Sequence, residues 1–202
     1  MDATSFLHPD DALPQYVVSG SDYPNRFIVN AIYELPIGRG RPFLNNNVWV
    51  DRFIGGWQVS GINTFQSGPP LGFGDPIFTG NLQSVLNTSQ IPGGQSVSEY
   101  FCTQCAGFNE VTSQQYSLHY AQISPRFSWF RGPHQEEVDL SLMKNVRIKE
   151  KYTVQLRADA LNSMNHPWFG SPNTSVTSSS FGQITSENDR ARWIQFLVKF
   201  VF

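Results

Sequence analysis

The chain has 202 residues, of which 40% are hydrophobic, 14% aromatic and 15% charged, with a net charge of −2. A pI near 6.0 and the lack of a basic block argue against nucleic-acid binding, which needs a concentrated Lys/Arg footprint. With 16 Phe, 7 Tyr and 5 Trp the chain is too aromatic for wholesale disorder. No run approaches the ~18–20 apolar residues of a membrane helix, but membrane strands alternate and are not excluded.

Residues 1–15 carry neither the basic nor the apolar region of a signal peptide. A complete chain starting here would stay in the cytoplasm; the start of a fragment carries no address. Helical periodicity is weak throughout, whereas segments of period two recur between Gly/Pro/Asn/Ser clusters. Residues 15–19 read as a short strand. Residues 26–36 place Phe27, Val29, Ala31, Tyr33 and Leu35 on one face. Residues 57–67 do the same with Trp57, Val59, Gly61 and Phe65, with Asn63 breaking the pattern. Residues 137–146 set Val138, Leu140, Leu142 and Val146 against Glu137, Asp139, Ser141 and Asn145. Residues 152–162 set Tyr152, Val154, Leu156, Ala158 and Ala160 against Thr153, Gln155, Arg157 and Asp159. Residues 193–202 set Ile194, Phe196, Val198, Phe200 and Phe202 against Gln195 and Lys199.

The connections alternate in length. Only about five residues, around 147–151, join the third and fourth strands. Long outer loops, about 68–136 and 163–192, separate the others, and the 36–57 join is intermediate. Compact soluble domains rarely carry structureless loops beyond ~15 residues. Outer-membrane barrels pair short periplasmic turns with long extracellular loops. The expected fold is therefore all-β: an antiparallel up-and-down meander, a partial and unclosed segment of a transmembrane barrel. With the long loops outside, the apolar face offers Tyr33, Trp57, Tyr152 and Phe202 near the inner ends, where an aromatic girdle belongs. Phe196 and Phe200 share that lipid-facing side. Asp139, Arg157, Asp159 and Lys199 would face the lumen, with Asp139 within reach of Arg157 across the hairpin, since opposite charges are favoured there.

Other motifs carry little chemistry. Cys102 and Cys105 form one CxxC in a polar, Gly-rich stretch without the strand-to-helix context of a redox motif. They read as a loop disulfide or as two idle thiols, and no second Cys or His pair stands at zinc spacing. His8, His119, His134 and His166 are scattered singly, and Asp10-Asp11 reads as a solvated loop. No phosphate-loop pattern and no nucleophile–base constellation occur, so neither an enzyme nor a cofactor is expected.

Four stretches resemble the C-terminal barrel region of TonB-dependent outer-membrane receptors, closest to the acidobacterial Oar-like group with a carboxypeptidase-regulatory-like N-terminal domain. They are Asn25-Arg26-Phe27-Ile28-Val29-Asn30 with Tyr33-Glu34-Leu35-Pro36-Ile37-Gly38-Arg39-Gly40; Gly55-Gly56-Trp57-Gln58-Val59-Ser60-Gly61-Ile62 with Gln66-Ser67-Gly68-Pro69-Pro70-Leu71; Arg131-Gly132-Pro133 with Val138-Asp139-Leu140-Ser141-Leu142-Met143-Lys144-Asn145; and Leu156-Arg157-Ala158-Asp159-Ala160-Leu161-Asn162-Ser163-Met164-Asn165-His166-Pro167-Trp168-Phe169-Gly170. Asn25 stands where the family usually has His, and residues 73–125 match nothing in it. The match covers most of 22–202, leaving 1–21 as an outer loop or strand remnant.

The resemblance implies a fragment of a 22-stranded barrel, since strands of ~9–11 residues would alone need more than this chain supplies. It implies uptake of a scarce solute such as a siderophore or glycan. The implied partners are outer-membrane lipid, the barrel-assembly machinery through the C-terminal strand ending in Phe202, and the TonB complex through a missing N-terminal plug. The implied location is the cell outer membrane. The rival reading is a soluble β-sandwich that binds a ligand or carbohydrate through exposed aromatics.

Overall fold

The computed structural model describes residues 16–38, 41–43, 53–74, 80–105, 123–149, 152–188 and 190–202. Most of the 1–21 segment, His8, Asp10-Asp11, Arg39-Gly40, His119 and the Glu150-Lys151 turn lie outside the described residues. Among the described residues there are nine strands: β1 (Arg26–Glu34), β2 (Trp57–Gln66), β3 (Pro70–Leu71), β4 (Phe127–Arg131), β5 (Gln135–Lys149), β6 (Tyr152–Leu161), β7 (Trp168–Phe169), β8 (Glu187–Asn188) and β9 (Trp193–Val201). No described helix is long and apolar enough to cross a membrane.

The five long strands form one open sheet in the order β1-β2-β5-β6-β9, with each strand beside its predecessor among the long ones. This is the expected meander. The sandwich alternative needs two sheets of long strands packed face to face, and here the long strands share a single sheet. β6 pairs antiparallel with both β5 and β9. The β1–β2 hairpin is antiparallel too, since Ser67 N–H donates to Asn25 O at one end and Leu35 N–H to Trp57 O at the other. Residues 15–19 were expected to add a strand, but Tyr16–Ser19 is irregular backbone. Its Val18 carbonyl instead accepts from the Arg126 guanidinium at 3.2 Å.

The chain separates into two compact units. The sheet unit comprises Arg26–Phe65, Glu136–Trp168 and Asp189–Phe202. Its edge strands β1 and β9 are exposed at every position. The second unit comprises Met1–Asn25, Gln66–Gln135 and Phe169–Asn188, and so gathers the long connections. Structureless connections were expected, but their described parts are folded. Buried Leu71, Phe73, Val85, Phe101 and Phe130 form a core there, with Phe73 stacked on Phe130 at 4.8 Å and Phe101 edge-on to both. Each such side chain contributes ~1.5–3 kcal/mol by leaving water.

Short elements assemble around that core. β3 pairs antiparallel with β4. A Cβ on Gly68 or Gly72 would lie 1.9 Å from the Gly132 or Pro125 carbonyl oxygen, so only glycine admits this approach of two backbones. Two 3₁₀ turns follow at Leu82–Leu86 and Thr88–Gln90, the first capped by the Asn81 side chain accepting from Gln83 N–H. Cys102 and Cys105 are joined in a disulfide and buried with Ile91.

Candidate functional site

The register sorts the sheet's side chains into two faces. One carries the rungs Leu140–Ala160–Ile194, Leu142–Ala158–Phe196, Lys144–Leu156–Val198 and Val146–Val154–Phe200. It is nearly all apolar, and Leu140, Leu142, Leu156, Ile194, Phe196, Val198 and Phe200 are exposed. The opposite face carries Ser141–Asp159–Gln195, Met143–Arg157–Leu197, Asn145–Gln155–Lys199 and Arg147–Thr153–Val201. A sheet that shows a wide apolar face without packing it has a solvent other than water on that side.

Tyr33 and Tyr152 are exposed near strand ends, and Phe202, at 96% exposure, continues the alternation of Phe196 and Phe200. Trp57 is half-buried, and its indole N–H donates to the Phe53 carbonyl at 3.2 Å. Beside it lies a residue that the alternation missed: Lys144 sits on the apolar face yet is only 7% exposed. Its ammonium donates to the carbonyls of Phe53 and Gly55 at 2.8 and 2.9 Å and lies 4.8 Å from the Trp57 ring centre. The charge is thus met by backbone oxygens and by an indole face. Gly56, between these partners, has φ +72°, and a Cβ there would lie 2.5 Å from Asn145 O. The Gly-Gly-Trp stretch is therefore a device for bringing this turn against β5.

On the polar face Asp159 is buried and accepts from Ser141 Oγ at 2.5 Å, Arg157 Nε at 2.7 Å and Gln195 Nε2 at 3.1 Å. It ties three strands together. The expected Asp139–Arg157 pair does not form. The register puts Met143 opposite Arg157, and Asp139 instead accepts from the Asn162 N–H at 2.8 Å. Asn162 explains this arrangement. At φ 46° it ends β6 in a left-handed turn. Its side chain accepts from His166 N–H and donates to the His166 and Arg190 carbonyls. Lys199 lies on the rung with Asn145 and Gln155, which are bonded to each other at 3.0 Å.

The loop unit holds a cavity of about 280 Å³. Val85, Phe101 and Phe130 supply apolar walls, and Trp129 an indole wall backed by Phe127 at 4.8 Å. The polar lining is Thr88, Gln95, Tyr100 and Arg131. The Tyr100 hydroxyl donates to Arg131 O at 3.2 Å, and Gln95 Nε2 donates to Tyr100 O at 2.9 Å. Burial pushes the Tyr100 phenol up to about 12, against a smaller lowering by Gln95. Arg131 is anchored by Ser128 O at 2.8 Å and by the Asp22 carbonyl and carboxylate at 2.6 and 2.5 Å. None of these lining residues was singled out from the sequence for a role. They lie in or beside a stretch without periodicity, and Arg131 was visible only as part of a motif.

The open meander, with one apolar and one polar face and long folded connections, defines a membrane β-barrel wall. The profile of the Outer membrane beta barrel domain family matches residues 3–195. The chain belongs to that family, and its strands accordingly belong to the outer membrane. No curated protein and no solved structure matches it.

Proposed function

We propose that this chain is the C-terminal barrel segment of a TonB-dependent receptor that takes up a scarce solute across the outer membrane. The observation that carries the reading is the division of labour within the chain. Five strands make a wall, while the two longest connections make a separate unit with its own aromatic core, disulfide and cavity. A diffusive pore needs only a wall, whereas a receptor needs a surface that recognises. The four motif stretches that resemble such receptors add to this. In this reading Tyr33, Trp57, Tyr152, Phe196, Phe200 and Phe202 face lipid, and the Asp159–Arg157 side lines the interior. The loops face outward, energy comes through a plug and TonB, and assembly proceeds through the C-terminal strand. The chain itself performs no catalysis and holds no cofactor.

The test is disruption of the gene in its host, followed by accumulation assays with a panel of labelled siderophore, cobalamin and oligosaccharide solutes, with and without a protonophore. Loss of one protonophore-sensitive uptake is expected. Unchanged energised uptake together with a lost diffusive leak would make the protein a pore instead.

A further inference from the structure

The loop-unit cavity can be read for the class of solute it would hold, an inference that rests on the receptor reading. We propose that this cavity is a subsite for one uncharged sugar ring of a neutral glycan. Its volume, about 280 Å³, lies at the lower limit of small-molecule sites (~300–1,000 Å³), so it suits a single ring and not a large chelate.

The lining chemistry narrows the choice. Arg131 is the one charged residue among the lining groups, and its charge is already met by Asp22 at 2.5 Å. Among the described residues an anionic ligand would find no uncommitted cation there. The remaining polar groups are all uncharged: the Thr88 hydroxyl, which donates and accepts, the Gln95 carboxamide, which keeps its Oε1 and a second N–H, and the Tyr100 phenol, whose O–H is given to Arg131 O and whose oxygen still accepts. Burial keeps the phenol protonated through the physiological range. Against them stands the Trp129 indole, braced by Phe127 and therefore costing little ordering on binding. A pyranose offers the matching surface: hydroxyls around its rim and an apolar C–H face that lies on an aromatic ring. Flat aromatic ligands would use the indole but make no use of the Thr88 hydroxyl and Gln95 carboxamide at the rim.

The experiment uses outer-membrane vesicles from cells expressing the receptor that carries this chain. Equilibrium binding of tritiated maltotriose, cellotriose, xylotriose and chitotriose is compared with that of trigalacturonate. At least one neutral trisaccharide should bind saturably and more tightly than the acidic one. Trp129→Ala should weaken that binding by about tenfold or more, the scale of one lost aromatic contact. Gln95→Ala, which leaves the aromatic core intact, should weaken it several-fold and carries the test if Trp129→Ala fails to reach the membrane. Absence of saturable binding by all four neutral sugars overturns the proposal, as does binding that both variants leave unchanged. Glycan binding in a strain whose energised uptake survives gene disruption would uphold the subsite and remove the transport reading. Energised uptake of a different solute without glycan binding would do the reverse.

Discussion

Replacing Gly56 by Ala probes the turn that brings β2 against β5. The backbone there has φ +72°, which costs an L-residue with a Cβ roughly 1–2 kcal/mol. The new methyl would lie 2.5 Å from Asn145 O, a backbone atom that cannot swing aside. The strands must part locally, weakening the 3.0 Å bond from Asn145 N–H to Gly56 O, worth a further ~0.5–1.5 kcal/mol. Loss of glycine's freedom in the unfolded chain returns ~0.4–1 kcal/mol. The net destabilisation is about 1–3 kcal/mol. Hydrogen exchange in outer-membrane vesicles should show the Asn145 amide exchanging roughly 5- to 150-fold faster. Gly74→Ala is the control, for it has φ +73° and open space where its Cβ would sit, so it carries the strain without the collision. If Gly56→Ala costs no more local protection than Gly74→Ala, the close-approach argument is wrong.

Three further outcomes follow from the loop unit. Phe101→Ala should open a cavity against Phe73 and Phe130 and cost ~3–5 kcal/mol, read as faster proteolysis of residues 80–105. The Cys102–Cys105 bridge spans a sequence separation of 3, so it constrains only a short loop and contributes roughly 2 kcal/mol. Because both sulfurs are buried, thiol labelling under reductant should keep pace with opening of the loop unit and not precede it. Tyr100 is held neutral by burial, with its folded pKa raised to about 12, so its contribution is complete below pH 10 and fades as pH rises toward 12. Alkaline unfolding of the loop unit, followed by near-ultraviolet circular dichroism, should start in that window and be blunted in Tyr100→Phe; an identical alkaline profile in the variant would refute the assignment.

The long strands were legible because their residues alternate with period two, and because some bounds carry a turn signal, as where Trp57–Gln66 begins after Gly55-Gly56. Which partners meet across the sheet was not legible. Charge preference suggested Asp139 with Arg157, but the register puts Met143 opposite Arg157, and Asp139 accepts from the backbone N–H of Asn162 in its left-handed turn. Lys144 broke the apolar pattern, and nothing local marks its partners, which come from a turn about ninety residues earlier in the chain. The loop core was hidden for a different reason. Phe73, Val85, Phe101 and Phe130 are far apart in sequence and share no period, so only tertiary contact reveals them as one cluster.

The described fully buried apolar side chains all lie in the loop unit, whereas β1 and β9 bury none. The two parts of this chain therefore answer to different solvents. Trimming Phe101 removes contacts from a close-packed interior, where a missing methylene is felt directly. In the proposed membrane setting, trimming the exposed Phe196 removes surface from a fluid that can flow into the gap. Mutational tolerance should follow that distinction: shape is constrained in the loops, whereas mainly polarity is constrained along the wall. The loop unit thus has the least freedom to vary its packing one residue at a time, and a tolerated change there calls for a compensating exchange among the side chains of the same cluster.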